Sequence, residues 1–302
     1  MSADAGAAGT AGTAGAAPSP LVVARKDYED AVRSKTLWVV TGLFVLLTGG
    51  VAYFLDAIGG ALAPEGTELT ATDFVFVVQL PGQWLIPLVA VLVGYKSVVA
   101  ERESGTIKLL LSLPHTRRNV LVGKLAGRVG VVATAIVVAF AVAGVVVATR
   151  HALALVPYLV FVAITVAYAA AFVGLAVGFS AAVRSGSRAV AGAFGIYALF
   201  GFNPSLWDVL PLAINYVLNG EFFFETPRGP EWAQFVSLLS PKSAYNTATA
   251  GFVPGESAFR QAAGGTGDLP VYLSEWAALV VLALWLVVPM AVGYWRFQRA
   301  DL

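Results

Sequence analysis

Ala152–Val183 reads ALALVPYLVFVAITVAYAAAFVGLAVGFSAAV, without a single Asp, Glu, Lys, Arg or His. A helix needs about 20 apolar residues to cross the hydrocarbon core of a bilayer. This stretch exceeds that length, and it is not alone. Outward from it lie five more strongly apolar, charge-free windows: Val129–Thr149, Phe74–Tyr95 and Thr36–Leu55 toward the N-terminus, Ala189–Trp207 and Trp276–Trp295 toward the C-terminus. The composition agrees, because the 302 residues are 58% hydrophobic and only 12% charged. Soluble domains carry about a quarter charged residues. Lipid must be the solvent for much of this chain.

These windows predict an all-α integral membrane protein with six transmembrane helices, at about 36–55, 76–98, 127–149, 155–183, 187–207 and 275–296. Pro81, Gly82 and Pro87 predict that the outer part of the second span is kinked or begins late. Phe202-Asn203-Pro204 ends the fifth, and the short apolar run that follows predicts a helix at Val209–Asn219, at or just inside the outer interface. Gly174 and Gly178 have the small-xxx-small spacing of close helix contacts. Glycines facing lipid explain the pair equally well.

Lysine and arginine set the orientation. With the N-terminus inside, the inner segments hold Arg25, Lys26, Arg33 and Lys35, then seven basic residues between Lys96 and Arg128, then Arg184, Arg188, Arg296 and Arg299. Only Arg150, Arg228, Lys242 and Arg260 remain outside. Both termini are therefore expected in the cytoplasm, and the protein in the cell membrane. Charge inside a span would mark an ion pathway. None is expected there, since Asp56, Lys96 and Asp208 all fall near boundaries. That disfavours a carrier driven by a proton or sodium gradient.

Residues 1–18 form a low-complexity Ala/Gly/Thr tail expected to be disordered. Residues 19–35 read as an amphipathic helix lying in the interface, with Ser19 as cap and Pro20 in its first turn. Leu21, Ala24, Tyr28, Ala31 and Val32 share one face. The inner loop at 99–126 is the most informative segment. Charges cluster before Gly105, an apolar group of Ile107 and Leu109–Leu111 follows, and Pro114 closes it. Three consecutive leucines at an inner loop point to docking against another protein. The outer segment at 208–274 carries Trp232, Phe235, Val236 and Leu239 on one helical face, followed by Pro241. It reads as short outer helices or as a polar lid over the backbone.

The run Glu101-x-Glu103-x-Gly105-Thr106-x-x-x-Leu110-Leu111-x-x-Pro114-x-x-Arg117, continuing to Gly123-Lys124, resembles the signature of ABC transporter permeases of the type-2 exporter class. The likeness covers the whole chain. Arg25–Lys35 and Ser240-Pro241 are most similar to permeases of the copper-site maturation type, accessory to nitrous oxide reductase. The resemblance implies a membrane subunit that docks an ABC ATP-binding subunit through a coupling helix between spans two and three. Glu101, Glu103, Gly105, Thr106, Leu110, Leu111, Pro114, Arg117 and Lys124 are the residues it assigns to coupling. It also implies a second permease chain, a homodimer in the simplest case, and ATP bound in the partner subunit with no cofactor in this chain.

No Gly-x-x-x-x-Gly-Lys-Ser/Thr run is present, so this chain lacks that phosphate cradle. The chain is not expected to be an enzyme. Ser180 lies toward the inner end of the fourth span, away from His151 outside and His115 in the loop, which disfavours a serine nucleophile. With no cysteine and only two histidines, neither a thiolate centre nor a histidine metal site is expected. Net charge near neutrality does not indicate nucleic acid; membrane lipid is the expected surrounding. Gln79, Gln83, Asn203 and Asn215 are polar residues for either a pathway or helix packing, and packing is favoured. A non-transporting assembly factor and a gradient-driven carrier remain the alternatives.

Overall fold

The computed structural model describes residues 20–62, 70–106, 116–202, 206–220, 230–253 and 270–299. Among them every regular element is helical. In chain order these are α1 (Pro20–Val32), α2 (Lys35–Leu62), α3 (Ala71–Gly94), α4 (Val99–Glu103), α5 (Arg117–Ala148), α6 (Leu155–Ala182), α7 (Gly186–Ile196), α8 (Leu206–Asn219), α9 (Glu231–Leu238), α10 (Pro241–Phe252) and α11 (Glu275–Gln298). Five stretches are long and apolar enough to cross a membrane. A sixth span exists if α7, with its π-helical extension Tyr197–Gly201, and α8 are counted as one crossing bent by 58°.

The helix starts follow local chemistry. The Asp73 carboxylate accepts from both the amide and the hydroxyl of Thr70, each at 2.8 Å, which opens α3. Thr116 accepts from the Asn119 amide at 3.1 Å to open α5. Ser240 caps α10 with Pro241 in the first turn. The second span is not delayed by its prolines: α3 is continuous from Ala71 to Gly94 with Pro81 and Pro87 inside it. The capping box starts the helix a full turn and more before Pro81, so each proline enters a helix already nucleated.

At the centre stands α6, apolar on all sides and buried on most of them. Phe161, Tyr168, Phe172 and Val173 are fully enclosed on it. Gly174 and Gly178 do not face lipid. They seat α11: a Cβ at Gly174 would lie 3.0 Å from the Leu286 carbonyl oxygen, and one at Gly178 would overlap the Pro289 carbonyl. Gly293 returns the contact against the Gly178 backbone. Such glycines let helix backbones meet where lipid offers no hydrophobic drive to association.

The first helix is seated by the same device. A Cβ on Gly123 would lie 2.7 Å from the Pro20 carbonyl, and one on Gly127 would lie 2.8 Å from the Asp27 carboxylate. Farther along α5, Tyr28 meets Gly130 and shares a 3.0 Å hydrogen bond with Thr134. Successive residues of α1 thus meet successive turns of α5, so the two helices run alongside each other in the same direction.

Candidate functional site: a charged hub and a mid-helix polar cluster

Beyond α3 the chain turns through Lys96–Val98 into α4, only five residues long. So short a helix is marginal alone, and the protein holds it from outside. The Ser180 hydroxyl accepts from the amides of Val98 and Val99 at 3.2 and 3.1 Å, satisfying two donors at the start of α4. Arg102 donates to the carbonyls of Ala181 and Val183, at 3.3 and 2.8 Å, where α6 ends. The Glu103 carboxylate accepts from the Gly186 amide at 2.6 Å, placing a negative charge at the start of α7. A Cβ at Gly186 would stand 2.8 Å from that carboxylate, so a larger residue would make the Glu103 side chain shift.

Glu101 turns the other way. It accepts from the Lys124 ammonium of α5 at 2.6 Å, and Lys124 also lies 3.8 Å from Asp27 of α1. Asp27 in turn pairs with Arg128: Nε lies 2.9 Å from Oδ2, a charge contact, and the Nη2 hydrogen bond to Oδ1 is 3.1 Å. Charges therefore alternate through Glu101, Lys124, Asp27 and Arg128. The side chains of Lys124 and Asp27 are only 5% and 9% exposed, so each depends on its partner for the solvation it has lost. Arg117 donates to the carbonyls of Phe297 and Gln298, at 2.7 and 2.9 Å, closing the orphan end of α11. Arg102 and Arg117 both face the Phe297 ring, at 5.8 and 5.6 Å from its centroid.

Of the residues singled out in the sequence, Glu101 and Lys124 are thus brought into contact. Glu103 and Arg117 bind other helices of the same chain. Gly105 has φ +74°, the left-handed turn that releases the chain from α4. Thr106 is exposed beside Ser104, 2.9 Å away. Leu110, Leu111 and Pro114 lie outside the described residues. The sequence reading missed Asp27, Arg102, Arg128, Ser180 and Gly186. Only the spacing of Gly123 and Gly127 with Lys124 and Arg128 offered a signal, a glycine seam flanked by cations.

A second cluster lies level with the middle of the long helices. The Leu239 carbonyl accepts from the Trp285 indole, near the midpoint of α11, at 2.8 Å. Six residues on, in α10, Tyr245 stacks on Tyr168, near the midpoint of α6, with centroids 4.4 Å apart. The far end of α10 meets the start of α11, where Gly251 abuts Glu275 and Phe252 meets Trp276 at 4.8 Å. The pair α9–α10 is therefore a hairpin that enters the bundle, with its turn level with the midpoints of α6 and α11 and its far ends near the start of α11, where Tyr272 donates to Glu231 at 3.2 Å. A helix pair confined to the outer surface does not describe it.

The hairpin carries polar groups down with it. Gln79 donates to Asn246 and Asn246 donates to Gln83, each at 3.0 Å. Thr165 and Tyr245 share a 3.1 Å hydrogen bond, and Tyr168 donates to the Gln83 carbonyl at 2.6 Å. Gln79 and Gln83 are thus packing groups bonded across helices, as expected; Asn215 is buried and accepts from Asn219, and Asn203 lies outside the described residues. Buried Lys242, one turn before Asn246, pairs with Asp208 at the start of α8. This corrects the expectation that Asp208 sits at a boundary and Lys242 outside. A charged pair stands at mid-height because the hairpin and the broken span deliver both partners there. Among the described residues no group of three or more His, Asp or Glu is arranged to hold a metal.

Comparison with known proteins fits this architecture. The family model of the ABC-2 family transporter protein matches residues 21–302. The probable ABC transporter permease protein NosY of Pseudomonas aeruginosa is 29% identical over 292 residues, covering 93% of this chain and 98% of that protein. Its namesake in Stutzerimonas stutzeri is 28% identical over 284 residues, covering 92% of this chain and 97% of that protein. The match extends over nearly the whole chain, and it makes this protein a member of the ABC-2 family of membrane transporter proteins.

Proposed function

We propose that the chain is the permease subunit of an ABC exporter, moved by ATP hydrolysis in a separate ATP-binding subunit that docks at residues 99–126. Family membership and the likeness to the probable ABC transporter permease proteins NosY support the reading. The observation that carries it is the hub. Val99–Glu103 is bonded to α5 and to the α6–α7 turn, reaches Asp27 of α1 through Lys124, and faces the Phe297 ring of α11 through Arg102. A push on this loop reaches the ends of four elements at once. The charged residues named from the sequence then act as positioning residues that fix the loop to the bundle, and exposed Thr106 and the segment after it present the docking face.

In this reading both termini and the hub are cytoplasmic, the protein sits in the plasma membrane, and two identical permease chains assemble with two ATP-binding chains. Among the described residues, the Asp208–Lys242 pair is a feature that a gradient-driven carrier would use. Co-purification in mild detergent followed by mass spectrometry decides between them. A stoichiometric ATP-binding subunit, lost in Glu103→Arg while the variant stays folded, is the expected result. Full substrate flux in cells lacking any such subunit would overturn it.

A further inference from the structure

A cavity of about 450 Å³ opens between α1, α2, the inner end of α3 and α5. One wall is apolar, formed by Leu37, Val40, Leu92, Val93 and Val131. Leu92 is 56% exposed, so this wall continues onto the apolar outside of the bundle. The rest of the lining includes the polar residues Asp30, Lys96, Ser97, Asp27 and Arg128. The cavity lies where charges resume after the apolar windows, at the boundary between hydrocarbon and headgroups.

Its polar groups do not all satisfy one another. Arg128 and Asp27 neutralise each other. Ser97 is 5% exposed, lines the cavity and has a buried hydroxyl without a hydrogen-bond partner. A buried hydroxyl left unpaired is costly, so a partner is expected from the cavity side. Neither Lys96 nor Asp30 has an ion-pair partner among the described residues. The cavity thus offers one exposed cation, Lys96, and one exposed carboxylate, Asp30, together with the buried Ser97 hydroxyl and an apolar lining that continues onto the outside of the bundle.

We propose that this cavity binds a zwitterionic phospholipid with a primary ammonium headgroup: phosphate on Lys96 and Ser97, ammonium on Asp30, and one acyl chain along Leu92 and Val93. An anionic lipid would leave Asp30 facing it as a like charge. A free phosphate would leave the apolar wall uncovered. The inference needs only a membrane-embedded chain and stands apart from the transport reading.

The test is titration of the delipidated full-length protein with phosphatidylethanolamine, phosphatidylglycerol or inorganic phosphate, read by native mass spectrometry. Phosphatidylethanolamine should bind at one per chain. Lys96→Ala should weaken it about tenfold, as loss of a charge-assisted contact does. Asp30→Asn should abolish the preference over phosphatidylglycerol. Val93→Trp, which fills the cavity without touching a charge, should block binding while unliganded thermal stability is retained. Equal binding of phosphatidylglycerol, a response to inorganic phosphate alone, or unchanged lipid binding in Lys96→Ala and Val93→Trp would each overturn the proposal.

Discussion

The two ends of the hairpin-and-hub architecture are built from different chemistry. At the charged end, Glu101, Lys124, Asp27 and Arg128 alternate in sign, and glycines press α1 onto α5. At mid-height, neutral amides and phenols carry most of the contacts between the hairpin and the spans, with one ion pair at its turn. Charge networks with poor solvation are costly to break one partner at a time. Neutral interhelical hydrogen bonds in membranes average about 0.6 kcal/mol. The hub should therefore hold its geometry under load, and the hairpin should be the element that yields.

Breaking the hub should have the largest effect. Lys124→Met leaves Glu101 and Asp27 without their shared cation, and should cost about 3–5 kcal/mol in a detergent unfolding assay. Adding Glu101→Gln should recover part of that loss; no recovery would mean that Lys124 acts through packing alone. Next comes the mid-height pair. Asp208→Asn removes the carboxylate that faces a buried ammonium and should cost about 1.5–3 kcal/mol. The double variant with Lys242→Met should restore stability. If it restores stability yet not transport, the pair has a role in the pathway beyond holding the hairpin.

The neutral cluster sharpens the contrast. A double-mutant cycle of Gln79→Leu with Asn246→Leu should give a coupling of about 0.6 kcal/mol, and a value near that of the hub would erase the distinction. Least of all should follow from Glu29→Gln. Its partner Arg25 lies one turn away at 2.7 Å on an exposed face, and the hydrogen bond from Arg25 holds the Glu29 carboxyl below its usual range. So exposed a pair is screened by solvent, and no measurable change in the unfolding midpoint between pH 5 and 8 is expected.

The apolar windows were legible because hydrocarbon imposes a length and forbids charge. Leu155–Ala182 and Glu275–Gln298 lie close to where the charge gaps put them. The hairpin was not legible. Lys242 read as an outside residue and Asn246 gave no signal, since a local window cannot show that Lys242 meets Asp208 or that Asn246 meets two glutamines from α3. Polar residues enter the bundle only with partners already in place, and those partners are distant in sequence. The hub was half legible for the same reason. The Glu101–Lys124 segment announced itself as a motif, while Asp27, Ser180 and Gly186 serve it from three other elements. Gly174 and Gly178 could be read either way until α11 was seen against them.

The chain has no cysteine, so paired spin labels can be placed at single introduced cysteines without altering a native thiol. The most direct test of the account is a pair of distances in the complex with its ATP-binding subunit, measured with and without ATP. One pair spans the hub, at exposed Ser104 and Arg118; the other spans the hairpin and α6, at Ala250 and Val156. The account predicts a hub distance that holds and a hairpin distance that shifts when ATP binds. A hub that changes shape while the hairpin stays fixed would contradict it.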